Sequence, residues 1–155
     1  MSAQEQYDDA MFDFSRGDYD ACIERLKSLL ATDPEHFDAQ LALGMAYYRK
    51  GDYQTADDHY RKAIALQPRD SEAKTGLAIV LISANRTSEA IPLLESAVTD
   101  DPTNMAAHYR LSILYRRAGR TADAERELET FQHYKEVKDK LGKVFKQLAG
   151  PSGPM

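Results

Sequence analysis

Residues 37–70 read FDAQLALGMAYYRKGDYQTADDHYRKAIALQPRD and contain two apolar runs with helical spacing, separated by a short polar stretch. Gly51 lies between the two runs. Glycine tolerates the left-handed backbone in which many helices end, so Gly51 marks the end of the first helix. The stretch therefore predicts a helix, a tight turn and a second helix, with Pro68 near the border of the unit.

Three kinds of residue recur along the chain with a period of 34 residues. The prolines are Pro34, Pro68 and Pro102; the turn residues are Gly17, Gly51, Asn85 and Gly119; the small residues are Cys22, Ala56, Ala90 and Ala124. A fixed period of this length marks a solenoid, in which each unit buries its apolar face against its neighbours. We expect repeats at 3–36, 37–70, 71–104 and 105–138.

The recurring residues also predict local structure. The small column predicts a close approach between helices early in the second helix of each unit. Asp33-Pro34 and Asp101-Pro102 place an acceptor before a proline, so we expect an N-cap and the first helical residue of the next unit.

The second repeat carries a Leu-Gly pair, then Tyr, Ala, an aromatic residue, Ala and Pro, held by Leu43, Gly44, Tyr47, Ala56, Tyr60, Ala63 and Pro68. This order and spacing resembles the tetratricopeptide repeat (TPR). The third and fourth repeats keep most of the pattern, whereas the first has Asp9 and Asp13 at apolar positions and no repeat has the family's Trp. The resemblance covers about residues 3–138 and implies an all-α, right-handed α-solenoid of about four helix-turn-helix repeats, forming a single domain over 3–148.

The composition agrees with one continuous core, since 43% of the 155 residues are hydrophobic. The single cysteine excludes an internal disulfide and fits a reducing compartment, so we expect a cytoplasmic protein. The first residues, MSAQEQYDDA, have neither a basic start nor a long apolar stretch, so no signal peptide or membrane span is expected.

The net charge of −5 conceals a gradient along the chain. Residues 1–60 carry 5 basic and 13 acidic side chains, whereas residues 105–155 carry 10 basic and 6 acidic ones. Two interpretations stay open: solvated outer faces at both ends, or an electrostatic contact that orients a partner or joins copies head to tail.

Beyond Tyr134 an apolar stripe continues at helical spacing through Val137, Leu141, Val144 and Leu148, with five lysines alongside. We expect one helix from about Thr121 to Leu148, on the order of 40 Å long. Its last part, about 135–148, is interpreted as the cap that a repeat array needs, with a partner-binding or membrane-surface helix as the alternatives. Residues 149–155 are expected to form a disordered tail.

The residues that carry chemistry are scattered. The four histidines lack metal-ligand spacing, no glycine-rich phosphate loop is present, and Cys22 falls in the small-residue column. We therefore expect no catalytic residue, metal or cofactor. An acidic chain whose basic end has no aromatic platform also argues against nucleic acid as a partner.

The TPR resemblance implies that the first helix of each repeat lines a concave partner-binding face. Carried over to this chain, the groove residues are Tyr7, Met11, Phe14, Leu41, Met45, Tyr48, Ile79, Ile82, Tyr109, Ile113 and Arg116. So much apolar surface on one face indicates a binding site, because proteins seldom expose large apolar patches without a function. The alternative is that the residues at positions 9 and 12 of the units are half-buried between adjacent helices, in which case Tyr7, Leu41 and Tyr109 remain candidates.

The resemblance also implies a class of function. The basic residues with which some TPR co-chaperones clamp a free carboxylate are absent here, so we expect an apolar or amphipathic segment of a partner protein as the ligand. The protein is accordingly predicted to be a non-catalytic adaptor or scaffold. The alternatives are a chaperone, for which bacterial secretion chaperones of similar size suggest a bacterial source, and a head-to-tail self-assembling subunit.

Overall fold

The computed structural model describes residues 1–150 and is helical throughout this range, with no strand. This confirms the predicted all-α class. The helices are α1 Ala3–Ser15, α2 Tyr19–Thr32, α3 Phe37–Arg49, α4 Tyr53–Leu66, α5 Ser71–Ser83, α6 Thr87–Asp100, α7 Met105–Arg117 and α8 Thr121–Ala149. Residues 151–155 of the expected tail lie outside the described residues, and Ala149 still belongs to α8.

The helices are divided between two compact units, Met1–Pro102 and Thr103–Met155. In the first unit α1 packs with α2, α3 with α4, and α5 with α6, so that each pair forms a hairpin. The second helix of one hairpin packs against the first helix of the next, and α3 also contacts α1 and α5. The second unit is the hairpin of α7 and α8. The single domain expected over 3–148 stays a prediction.

The four turn residues all have the left-handed backbone that the sequence predicts. Their φ angles are 78° at Gly17, 82° at Gly51, 61° at Asn85 and 77° at Gly119. Each residue ends the first helix of its hairpin and allows the chain to reverse within three residues. The predicted order of helix, tight turn and helix is therefore confirmed.

The Asp-Pro pairs do not start helices, so that prediction is wrong. Asp33 and Asp101 are the C-caps of α2 and α6, and the prolines that follow them lie in the turns. Proline is common just after a C-cap because it cannot continue the helix. The next helices are capped instead by His36 and Asn104, which accept backbone N–H bonds of 3.1 and 3.0 Å from three residues ahead.

The small-residue column lies in the core of the hairpins, as predicted. Cys22, Ala56, Ala90 and Ala124 are fully buried. Burial raises the pKa of the Cys22 thiol to about 11, so this side chain is a packing group and not a reactive thiolate at neutral pH.

The ring of Tyr60 on α4 fills a space between two glycines on neighbouring helices. A Cβ atom placed on Gly44 of α3 would lie 2.7 Å from Cδ2 of the ring, and one on Gly76 of α5 would lie closer still to Cε1. One repeat earlier, Leu26 shares a core cluster with Ala10 and Ala42 at the equivalent positions. The larger aromatic ring is therefore accommodated by the two residues that have no side chain.

The α8 helix is continuous, as predicted, but its last part is not buried. Every residue from 135 to 149 is exposed, and the exposed fractions are 41% for Val137, 52% for Leu141, 47% for Val144 and 78% for Leu148. Residues 135–148 therefore have little of the burial that a cap over the last repeat would give them, and their interpretation as a cap stays a prediction. Among residues 1–150, no helix is both long and apolar enough to cross a membrane.

Replacing Gly76 with alanine is expected to lower the free energy of unfolding, because the methyl group would overlap the Tyr60 ring at a cost of about 1–3 kcal/mol. Alanine gains ~1 kcal/mol over glycine in a helix, so the net loss is expected to reach about 2 kcal/mol. Chemical denaturation measures the change. The matched control is Gly142→Ala, whose added Cβ meets nothing within 4 Å and should cause no loss. Adding Tyr60→Leu to Gly76→Ala should recover stability, and a Gly76→Ala protein as stable as the wild type would contradict this packing.

Truncation after Tyr134 is expected to leave the first unit and the α7–α8 hairpin folded. The removed apolar side chains are exposed, so their loss should lower the free energy of unfolding by less than about 2 kcal/mol. Thermal unfolding followed by circular dichroism is the measurement. Aggregation of the truncated chain, or a loss of several kcal/mol, would instead support the cap that the sequence suggests.

Candidate protein-binding site

A small cavity opens between α3 and α5 in the first unit. Its volume is about 180 Å³, and it is lined by Met45, Tyr48, Arg49, Tyr60, Gly76 and Ile79. An apolar cavity of about 150 Å³ can hold a benzene molecule, so this space can hold one bulky side chain. Three of the lining residues, Met45, Tyr48 and Ile79, are among the predicted groove residues, and the structure brings them together.

The 34-residue period explains why these side chains meet. Met45 and Ile79 occupy the same position of successive units, and α3 packs against α5. Gly76 contributes no side chain, so the cavity reaches the Tyr60 ring beneath it. Burial and the carboxylate of Glu72 raise the pKa of Tyr60 well above its usual range, which keeps this hydroxyl neutral.

Contacts from α3 hold the rim of the cavity. The hydroxyl groups of Tyr48 and Ser83 are hydrogen-bonded at 3.2 Å, and the Tyr48 ring lies 5.6 Å from the ring of Tyr53. The Arg49 guanidinium lies 5.8 Å from the centre of the Phe14 ring of α1. Arg49 is exposed, so a cationic group stands beside an apolar cavity.

The predicted groove residues of α1 pack against the core with one part of their side chains and expose the rest to solvent. Tyr7, Met11 and Phe14 are partly buried against the core cluster of the first hairpin and α3. The Tyr7 ring stacks on His36, with ring centres 5.8 Å apart.

The surroundings of Tyr7 are acidic. Burial raises the pKa of the Tyr7 hydroxyl, and the carboxylates of Asp38 and Glu72 raise it further. Asp38 and Glu72 lie in the first turns of α3 and α5, whereas Arg49 lies in the last turn of α3. The charge therefore changes from negative to positive along α3.

The remaining predicted residues differ in their exposure. Leu41 is 8% exposed, because α3 packs against helices on both sides, so it offers almost no surface to a ligand. The predicted groove residues at positions 9 and 12 of the first three repeats are all half-buried, as the alternative interpretation expects: Met11, Phe14, Met45, Tyr48, Ile79 and Ile82. In the second unit Tyr109 is 47% exposed and its ring lies 5.2 Å from that of Phe131, Ile113 is half-buried, and Arg116 is exposed. The role of all these residues in binding stays a prediction.

Three residues of this region were not predicted from the sequence. Arg49 and Ser83 occupy position 13 of their 34-residue units, directly after the predicted groove residues Tyr48 and Ile82. The period could therefore have identified them. Gly76 could not be identified in this way, because its importance depends on the Tyr60 ring that packs against it from another helix.

The histidines make structural contacts. His36 caps α3, the Nδ1 atom of His59 is 2.8 Å from the Gln40 side-chain oxygen, and that of His108 is 2.5 Å from a Glu127 carboxylate oxygen. Across residues 1–150, no group of three or more His, Cys, Asp or Glu side chains is placed to hold a metal ion.

Stacked helical hairpins with left-handed turns at a fixed period define an all-α helical-repeat protein. Two family models described as tetratricopeptide repeat match the sequence, one over residues 13–71 and the other over residues 81–135. The chain belongs to the tetratricopeptide repeat family, whose members bind protein partners. The fold is thus that of a protein-interaction scaffold.

Solved structures agree with this fold. A crystal structure of MamA has a TM-score of 0.81 and 23% identity, over 90% of this chain and 81% of that one. MamA from residue 41 onward, of Desulfovibrio magneticus RS-1, has a TM-score of 0.78 and 20% identity, over 89% and 78% of the two chains. TTC0263, a thermophilic TPR protein of Thermus thermophilus, has a TM-score of 0.74 and 18% identity, over 87% and 75%. No curated protein sequence matches the chain.

Proposed function

We propose that this protein is a non-catalytic scaffold that binds an apolar or amphipathic segment of a partner protein at the α3–α5 cavity of the first unit. The observation that carries the proposal is that Met45, Tyr48 and Ile79 line one cavity of about 180 Å³ that reaches the Tyr60 ring. One bulky apolar side chain of the partner would fill this cavity. The surrounding half-buried side chains would cover the neighbouring residues of the segment.

The chemistry of the lining suits recognition of an apolar anchor. Methionine is flexible and polarizable, so Met45 can repack around side chains of different shape. Tyr48 offers apolar area and a hydroxyl whose position is set by Ser83. An anchor that enters such a pocket loses contact with water on most sides, which is the environment in which a few residues contribute most of the binding energy.

The charge pattern suggests the direction of the bound segment. Carboxylates of Asp38 and Glu72 lie at the starts of α3 and α5, and Arg49 lies at the end of α3. A segment that runs along these helices would place a basic residue near the carboxylates and an acidic residue near Arg49. Such complementary charges would fix the orientation of the segment more than they would strengthen binding.

A chaperone would use the same cavity but release its client, whereas a scaffold would keep its partner. The lifetime of the complex therefore separates these two functions.

Ile79→Glu is expected to abolish partner binding, because the new carboxylate would have to give up its hydration in a contact built for an apolar side chain. Affinity purification with the full chain, followed by mass spectrometry, measures this effect. Proteins retained by the wild type should be lost from Ile79→Glu by at least about tenfold.

The matched control is Ile91→Glu, which makes the same change at a half-buried isoleucine of α6, a helix that does not line the cavity. Both variants should keep the helical content of the wild type by circular dichroism. Equal retention of the same proteins by Ile79→Glu and Ile91→Glu would show that the cavity is not the binding site.

A further inference from the structure

A second apolar surface lies in the other unit, where the start of α7 faces the extended part of α8. We call this space the α8 groove: it lies between Thr103 and Met105 on one side and α8 from Tyr134 to Phe145 on the other. Its volume is about 620 Å³. The groove shares no residue with the α3–α5 cavity, so its function is independent of the one proposed above.

The side chains that line and extend the α8 groove are exposed to an unusual degree for their type. The exposed fraction is 52% for Leu141, 67% for Phe145 and 78% for Leu148. Isolated exposed apolar side chains are common, but these lie along one face of the same helix. A contiguous apolar strip of this kind marks an interaction surface.

The spacing of the strip is that of a coiled-coil seam. Tyr134, Val137, Leu141, Val144 and Leu148 follow one another at alternating steps of three and four residues, as a and d positions do. The residues that flank a seam are the e and g positions, and here Lys138 and Lys140 occupy two of them. A second helix laid along this strip would therefore have lysines on both of its sides.

Charge decides the kind of helix that fits. Residues 135–148 contain five lysines against Glu136 and Asp139, so the extended part of α8 is basic. The same helix of a second copy would also be basic, so two helices of like net charge would lie together, which is unfavourable. A partner with glutamate or aspartate at its flanking positions would instead pair with Lys138 and Lys140.

We infer that the α8 groove binds an acidic amphipathic helix of a partner protein, with apolar residues at a and d spacing and carboxylates on both flanks. Such a helix would cover the α8 strip and pack against Met105, in the manner of an amphipathic helix in a groove. A flat anionic membrane surface would contact Phe145 and Leu148 but would not fill the concave space beside Met105. The α1 helix of a second copy is acidic, yet it has Glu5 and Asp8 on the exposed face between Met1 and Phe12, where the seam needs apolar residues.

Two synthetic peptides test this inference with the full chain. Both are about three heptads long with leucine at a and d; one has glutamate and the other lysine at the flanking positions. Fluorescence anisotropy should show that the acidic peptide binds at least about tenfold more tightly than the basic one. Leu141→Asp should weaken the acidic peptide by about tenfold or more, and it should leave the fold intact because Leu141 is exposed.

A charge exchange makes the test specific for the groove. Lys138→Glu with Lys140→Glu should reverse the preference, so that the basic peptide binds better. The matched control is Lys143→Glu with Lys146→Glu, which changes the net charge equally but lies outside the flanking positions. This control should keep the preference for the acidic peptide, and Ile79→Glu should bind the peptide as the wild type does.

Several results would overturn the inference. One is that the wild type binds both peptides equally well or binds neither. Another is that the two double charge variants change peptide binding equally, which would indicate an effect of net charge alone. A third result is that the wild type binds no peptide but sediments with vesicles of phosphatidylserine and phosphatidylcholine, whereas Leu141→Asp does not sediment with them. This would indicate that the surface binds a membrane. An apparent mass that rises with protein concentration and falls in Leu141→Asp would indicate a second copy.

Discussion

The first unit depends on the ring of Tyr60, which lies between Gly44 of α3 and Gly76 of α5. A buried tyrosine removes about 150–250 Å² from water, which is worth at most roughly 4–6 kcal/mol at ~25 cal/mol per Å². Each glycine in a helix costs ~1 kcal/mol relative to alanine. The free energy gained by burying the ring therefore exceeds the cost of the two glycines.

This packing connects the fold to the proposed site. Gly76 leaves room for the Tyr60 ring on one side and opens the α3–α5 cavity on the other. A second contact supports the same arrangement: the buried carboxylate of Asp57 on α4 accepts hydrogen bonds from Arg61 at 2.5 Å and from Arg86, before α6, at 3.0 Å. The contacts that hold the second and third hairpins in register thus include this aromatic contact and an ion pair whose carboxylate is buried.

Local signals in the sequence predicted much of this fold. The left-handed turns were predicted from Gly17, Gly51, Asn85 and Gly119, because glycine and asparagine are the residues that tolerate this backbone. The Asp-Pro pairs were misplaced, since aspartate and proline fit a helix start and the turn after a helix end equally well. The structure was needed to show that His36 and Asn104 cap the next helices.

The site was less predictable, because it depends on which helices cover each side chain. The period placed Met45 and Ile79 at equivalent positions but did not reveal that Leu41 is buried by helices on both sides of α3. The spacing of Val137, Leu141, Val144 and Leu148 likewise predicted an apolar helix face, but spacing alone does not tell whether another helix covers it. The exposure of this face is a property of the folded hairpin, which the spacing does not contain.

The methyl NMR signals of the methionines test most directly whether the partner binds at the α3–α5 cavity. The chain has five methionines, of which Met45 lines the α3–α5 cavity and Met105 lines the α8 groove. With carbon-13 in the methionine methyl groups, a titration with a partner retained by the wild type and lost from Ile79→Glu should shift or broaden the Met45 signal while the Met105 signal stays in place. Saturated binding that leaves the Met45 signal unchanged would contradict the account.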